Sequence, residues 1–446
     1  MKNEFDVVIV GGGVTGTAIA YELARYTNIE KIALIEKYGE LGSLNSSAIG
    51  NSQTNHVGDI ETNYSLDKAI ATKQTAGMME KYCKKHNYVN KIIFSHQKMA
   101  LGVGEKEVDF IQNRYDTFAP HFSALELWNK SKIKEFEPMV VQSLDGSDRK
   151  EPILAIGALN QLTTVDYGKL TKSFFENAQK ENGKTVELFL NSRVTSITES
   201  SDGVFTVIAN GQTICAKYVV VNAGAHSLHF AHQMGYGLHF GCLPMAGSFY
   251  MSKQKILNGK VYMVQNDRLP FAALHGDPDL TAGELTRFGP TAVVLPKLER
   301  YKPGTQWEFW KSLNLDMSIV KIFIDLLKEK DIRDFIYTNF IYELPLLGKR
   351  EFIKNARKIV PSLKESDIEY AKGFGGIRPQ ALDKKTKKMI MGEATIETDR
   401  GIVFNMTPSP GATSCMGSAL KTVRKIAEFL NKDLHEELIQ EELISQ

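Results

Sequence analysis

Cysteine is scarce and scattered in this chain of 446 residues. Cys83, Cys215, Cys242 and Cys415 form no C-x-x-C pair and no metal-ligand spacing. That suggests neither a disulfide framework nor a zinc site and fits a reducing compartment. Net charge is equally slight. At +2 the chain has no basic field suited to nucleic acid, and any attraction to a membrane has to be local. No apolar run approaches the roughly 18 to 20 residues that a spanning helix needs. The opening FDVVIVGGG is broken by glycine before it could serve as the core of a signal peptide. Internal repeats, low-complexity tracts and long linkers are missing too. With 43% hydrophobic and 24% charged residues, what remains is a globular protein for small molecules, long enough for two or three domains.

The N-terminus carries the most specific local pattern. Phe5 to Val10 is a short apolar run suited to a strand buried on both faces, and GGGVTG follows it at once. Gly11, Gly13 and Gly16 then stand at G-x-G-x-x-G spacing before a helical pattern, and the next apolar run, KIALI, ends at Glu36. In a dinucleotide fold the first glycine permits the turn, the second lets backbone N–H groups approach a pyrophosphate, and the third allows close helix–strand packing. The acid accepts from a ribose hydroxyl and would repel a 2′-phosphate, which argues against NADP. A flavoenzyme that also used a nicotinamide would need a second such loop. The nearest decoys, GYGLHFG at 235–241 and GVG at 102–104, have the wrong spacing or lead into charged residues. The reading is therefore one dinucleotide, FAD or NAD.

Farther along, Asp166 is placed to cap a helix through about Gln179, followed by short strands at 186–190, 194–198 and 204–208. YVVVNAG (218–224) reads as a buried strand that returns to the first sheet and turns at Gly224. GIVFNMT (401–407) reads as a last strand. After it, Ser409, Pro410 and Gly411 look like a helix start, whose dipole could stabilise charge on a reduced flavin. Nucleotide-like segments thus lie at the start, middle and end. The expected architecture is α/β (α+β overall). A discontinuous Rossmann-like FAD-binding domain (1–80, 150–228 and 370–446) is interleaved with a mixed-sheet substrate domain (81–149 and 229–369). Within DMSIVKIFIDLLKE the polar Lys321, Asp325 and Lys328 form one narrow stripe, and basic residues from Lys349 to Lys358 follow. A helix so apolar is buried in the core, buried in a dimer contact, or laid in a membrane interface.

Several longer segments, NSQTNHVGDIETNY (51–64), LHGDPD (274–279), RFGPTAVVLPKLERY (287–301), GFGGIRPQ (373–380) and TPSPGATS (407–414), join the glycine loop in a pattern that resembles the malate:quinone oxidoreductase family. That family is a branch of the glutathione-reductase-type FAD superfamily. The resemblance implies oxidation of malate to oxaloacetate through non-covalent FAD, with electrons passed to membrane quinone. It also implies a cytoplasmic protein, peripheral on the inner face of the cytoplasmic membrane. The alternatives are a flavin-dependent dehydrogenase or oxidase of another 2-hydroxy acid (2-hydroxyglutarate, lactate) or an amino acid, and a flavin-binding module without turnover.

Oxidising a 2-hydroxy acid needs a carboxylate clamp, a base for the hydroxyl proton, and a hydride acceptor held in near-attack geometry. His56 and His275 lie in segments that resemble the family. His275 is the preferred base, because Asp277 is near enough in sequence to orient an imidazole, and His56 is placed beside the flavin. Arg378 is the first candidate for the carboxylate, since its planar fork matches one bidentately and the neighbouring glycines leave room. Arg287 and Lys98 are weaker candidates. The expected cofactor contacts are Gly11, Gly13, Gly16, Glu36, Gly224, Gly376, Pro410, Gly411, Ala412 and Thr413. No metal is expected.

Overall fold

A computed structural model describes residues 3–265, 274–344, 347–390, 394–406 and 411–445. Pro410 lies outside the described residues. The described residues build a nucleotide-type sheet, two further large sheets and a two-stranded pair, Ile93–Ser95 with Leu162–Val165.

In the first sheet the strands Ile402–Met406, Gln212–Val221, Glu4–Val10, Lys31–Ile35 and Thr185–Phe189 lie side by side and parallel, with Ala394–Glu397 antiparallel at one edge. Val7 pairs in register with Tyr218 on one side and Ile32 on the other. Both faces are covered, which is why Phe5 to Val10 reads as a continuous apolar run. On one face Val7, Ile9, Ile32 and Leu34 join a core with the helices Val14–Tyr26, Tyr167–Ala178 and Cys415–Phe429. Asp166 caps the middle helix by accepting from the Lys169 amide. Alternate residues of the same strands, Val8, Ala33 and Val219, face a second core that runs into the rest of the molecule.

The second sheet has eight strands in the order Ile368–Tyr370, Tyr250–Ser252, Thr286–Gly289, His275–Pro278, Lys260–Met263, Lys98–Val103, Ile153–Ala158 and Leu125–Trp128. A four-stranded sheet centres on Phe240–Ala246 paired with Ile377–Asp383. Two segments depart from the expected division. Ile153–Ala158, placed on the nucleotide side by a boundary at 150, pairs with Lys98–Val103. Ile377–Asp383, placed on the nucleotide side by a boundary at 370, pairs antiparallel with Phe240–Ala246, setting Arg378 opposite Met245. Strand pairing, which local sequence does not report, decides both.

The helix that follows the strand Ile402–Met406 also begins later than expected. It starts at Cys415 with Ser414 as its cap, and Gly411 to Thr413 form a turn before it.

Candidate active site

Parallel strands bind nucleotides beyond their carboxyl ends. Here Val10, Ile35 and Val221 lead directly into Gly11, Glu36 and Asn222, all of which line one cleft of about 730 Å³. Gly11 has φ +115, and a Cβ there would lie 2.4 Å from the Asn222 carbonyl oxygen; one on Gly16 would lie 2.1 Å from the Gly11 carbonyl oxygen. Only glycine lets the turn and the helix approach this closely. Around Gly13 only Ser46 Oγ comes within 4 Å of that position, and around Gly224 nothing does, so the wall is bare backbone. Glu36 accepts from the Gly12 amide at 2.8 Å and from the Tyr38 amide at 2.9 Å. Burial pushes its carboxyl up, and these two donors pull against that rise. Each oxygen retains a lone pair for a ribose hydroxyl. Gly376, Gly411, Ala412 and Thr413 line the same cleft. A bare-backbone turn, an acid at the second strand end and a long cleft together fit a dinucleotide such as FAD.

Arg378 also lines the cleft. Burial pushes its guanidinium down from the usual arginine value, and the nearby Tyr262 and Tyr64 hydroxyls raise it. Arginine stays charged through such a shift. Among the described residues no carboxylate pairs with it, so a cation faces the cleft without a protein counter-charge. Its backbone is held firmly. Asn45 accepts from the Ile377 amide at 3.0 Å and donates to the Ile377 carbonyl at 2.8 Å.

His56 also lines the cleft, and its backbone amide donates to Thr413 Oγ1 at 3.0 Å. Its Nδ1 lies 2.8 Å from Glu61 Oε1, while Glu61 Oε2 accepts from the Gly58 amide at 2.8 Å. Burial pushes the Glu61 carboxyl up, but His56 and Lys98 more than offset this and bring it to about 2. An ionised carboxylate only accepts, so Nδ1 carries the hydrogen and the Nε2 lone pair is left to take a proton.

The remaining expected residues sit elsewhere. His275 is 1% exposed, does not line the cleft, and stacks on Tyr262 with ring centroids 4.4 Å apart. Its Nε2 is 3.8 Å from Asp277 Oδ1, beyond hydrogen-bond reach. Asp277 is instead engaged by Lys260 at 2.8 Å and by two Arg287 nitrogens at 3.1 Å each, and Arg287 reaches Asp279 at 2.9 Å. These carboxylate contacts hold the Asp277 carboxyl well below its ordinary range against the upward push of burial. Turning Arg287 toward a substrate would strand buried carboxylates, at a cost of about 3–5 kcal/mol. Lys98 is likewise taken, by Asp59 at 2.6 Å. The expected roles of Asp277 in orienting His275, and of Arg287 and Lys98 in gripping substrate, are therefore corrected: Asp277 and Arg287 bind each other, and Lys98 binds Asp59.

Glu61, Tyr262 and Asn45 were not singled out from sequence. Glu61 stands five residues after His56, and the proximity that drew attention to Asp277 applies equally to it. Tyr262 and Asn45 offer no comparable signal, since each acts on a residue hundreds of positions away or on another strand.

A sequence profile of the malate:quinone oxidoreductase family matches residues 3–445. A Campylobacter jejuni protein named "Probable malate:quinone oxidoreductase" is 50% identical over 447 residues, covering 99% of this chain and 100% of its own. The Helicobacter pylori "Malate:quinone oxidoreductase" is 45% identical over 446 residues, covering 99% and 98%. In fold, the chain is similar to glycine oxidase from Geobacillus kaustophilus, with a TM-score of 0.64 at 18% identity over 96% of this chain and 95% of that one. It is also similar to L-alpha-glycerophosphate oxidase from Mycoplasma pneumoniae, with a TM-score of 0.63 at 21% identity over 97% and 96%. The chain belongs to the malate:quinone oxidoreductase family.

Proposed function

We propose that this enzyme oxidises malate to oxaloacetate and passes the electrons to a membrane quinone, with FAD held non-covalently in the cleft. The observation that carries the reading is Arg378, a cleft-facing cation with no protein carboxylate paired to it among the described residues. A flavin-binding module without turnover has no use for such a group, whereas a 2-hydroxy acid supplies the missing counter-charge. FAD held there would supply a two-electron acceptor, at its N5, for the hydrogen on substrate C2.

The chain's residues do the rest. Gly11 to Gly16 and Glu36 hold the nucleotide end. Arg378 grips a substrate carboxylate through its two parallel N–H donors. His56 takes the hydroxyl proton on Nε2, and Glu61 fixes the imidazole tautomer and steadies the cation that forms. Tyr262, half-buried over His275, bonds Thr54 at 2.7 Å and shapes the floor beside His56. Family membership, rather than the single arginine, favours malate over lactate or 2-hydroxyglutarate. In the absence of oxygen, malate is expected to bleach the bound-flavin absorbance; a flavin that malate leaves oxidised would overturn the reading.

A quinone acceptor lives in the bilayer. No helix among the described residues is long and apolar enough to cross a membrane. The apolar helix Met317–Lys328 nevertheless buries only Ile319 and Ile322. Met317 is 80% exposed, Tyr337 68% and Trp307 78%, with Lys321, Lys328, Lys330 and Arg333 exposed among them. Of the three expectations for this segment, the exposed apolar face favours the membrane interface, where these side chains enter the headgroup boundary, peripheral on the inner face of the cytoplasmic membrane. A Met317→Glu/Tyr337→Glu variant is expected to lose co-sedimentation with anionic vesicles by about tenfold or more while keeping malate-dependent dye reduction. Undiminished vesicle binding would remove this face from the membrane.

A further inference from the structure

An apolar acceptor and a dicarboxylate substrate make opposite demands on one cleft. The substrate end, at Arg378 and His56, is polar and cationic. A quinone becomes quinol by taking two electrons and two protons, so its head must reach the redox centre while its body stays against apolar surface.

One stretch of the cleft rim meets that need. Ile49 and Tyr301 both line the cleft and are 38% and 48% exposed, so each belongs at once to the wall and to the outer surface. Both are tied to the glycine-rich turn just before Arg378: the Gly375 amide donates to the Ile49 carbonyl at 2.7 Å, and the Tyr301 hydroxyl donates to the Phe374 carbonyl at 2.7 Å. The same rim continues outward. The Arg300 guanidinium lies 5.1 Å from the Tyr301 ring centroid and donates to the Tyr370 hydroxyl at 3.2 Å. Tyr370, 40% exposed, donates in turn to Glu343 at 3.1 Å. Glu343 closes the helix Lys330–Tyr342, whose Tyr337 and Phe340 are among its exposed aromatic residues. A line of side chains thus runs from the exposed helix face to the cleft wall, tied at Phe374 and Gly375 in the turn before the substrate arginine.

We infer that the rim formed by Ile49, Tyr301 and Tyr370 is the port through which the quinone head enters, separate from the groups that grip malate. The inference rests on the functional reading above for its ligand class. The exposed aromatic faces of Tyr301 and Tyr370 suit a flat, conjugated ring. The port opens beside the face assigned to lipid, so the isoprenoid tail need not cross water.

The test uses the flavin-loaded enzyme with decylubiquinone and, separately, with a water-soluble dye. Tyr301→Ala is expected to raise the KM for decylubiquinone about tenfold, as loss of an aromatic contact would. Its malate KM, read with the dye, is expected to stay within about twofold. Tyr301→Phe, which keeps the ring and loses only the bond to Phe374, retains quinone KM within about threefold. Flavin absorbance per chain checks that the variants are loaded. Fluorescence titration with a hydroxyquinoline N-oxide, a quinone analogue, gives a readout independent of turnover and is expected to show the same weakening. Unchanged quinone KM and analogue binding in Tyr301→Ala would overturn the port. A parallel rise in malate KM would also overturn it, by making the rim a substrate entrance. If malate fails to bleach the wild-type flavin while Tyr301→Ala still weakens the analogue, the functional reading fails and the port stands.

Discussion

Arg378→Met lowers kcat/KM for malate by about 10²- to 10³-fold while flavin content per chain stays unchanged. The magnitude follows from removing one partner of a partly desolvated, charge-assisted pair, which typically costs about 2–5 kcal/mol. The side chain faces the cleft on the strand Ile377–Asp383 and has no protein carboxylate to pair with among the described residues. Methionine keeps most of the length and volume, and removing the charge strands no buried carboxylate. Little stability should therefore be lost. The effect falls first on KM, because the carboxylate is gripped in ground and transition states alike, and on kcat as far as orientation suffers. Malate kinetics unchanged in Arg378→Met would return the GFGGIRPQ stretch to a purely architectural role.

His56→Gln lowers kcat by about 10²- to 10⁴-fold, the usual span for losing a general base. Glu61→Gln falls nearly as far, since a neutral amide cannot compel Nδ1 to carry the hydrogen or balance the charge that His56 gains. His275→Gln provides the contrast. A stacked, buried imidazole away from the cleft wall supports the floor under Tyr262, so its replacement costs about tenfold or less in turnover. Steady-state rates of the three variants, normalised to bound flavin, decide the base. Full turnover in His56→Gln together with collapse in His275→Gln would restore His275 to the role that sequence proximity to Asp277 suggested. Glu61 also carries a pH signature. Its carboxyl is lowered from an ordinary 4.5 to about 2 in the folded chain. The stabilisation from its ionised form is thus complete above about pH 4.5 and is lost as the pH falls through about 2.

Much of this was legible in the residues because the nucleotide fold is written locally. A buried strand, a glycine turn, a helix and a second strand ending in acid occupy consecutive positions, and each residue type answers a constraint imposed by its neighbours in sequence. Arg378 was legible for a related reason, standing just after glycines that open space around it. The groups assigned too much from sequence were Arg287 and Lys98. A cation is visible in a sequence, but the carboxylate that occupies it is not. Asp59 lies 39 residues from Lys98, on a different segment. Asp277 and Arg287 sit opposite each other across an antiparallel pair that only folding creates. The helix Met317–Lys328 shows the limit of periodicity, because a nearly apolar surface looks the same whether core, partner or lipid covers it.

Loaded with FAD, the cation-bearing cleft is expected to take a hydride equivalent from malate. Anaerobic mixing of the flavin-loaded enzyme with malate, lactate, 2-hydroxyglutarate or amino acids, followed by the bound-flavin absorbance, tests it most directly. Malate is predicted to bleach the flavin within the turnover time, at a rate that Arg378→Met slows by about 10²-fold or more at low substrate concentration. Bleaching by another of these acids with malate inert, or malate-dependent reduction of NAD while the flavin stays oxidised, would contradict it.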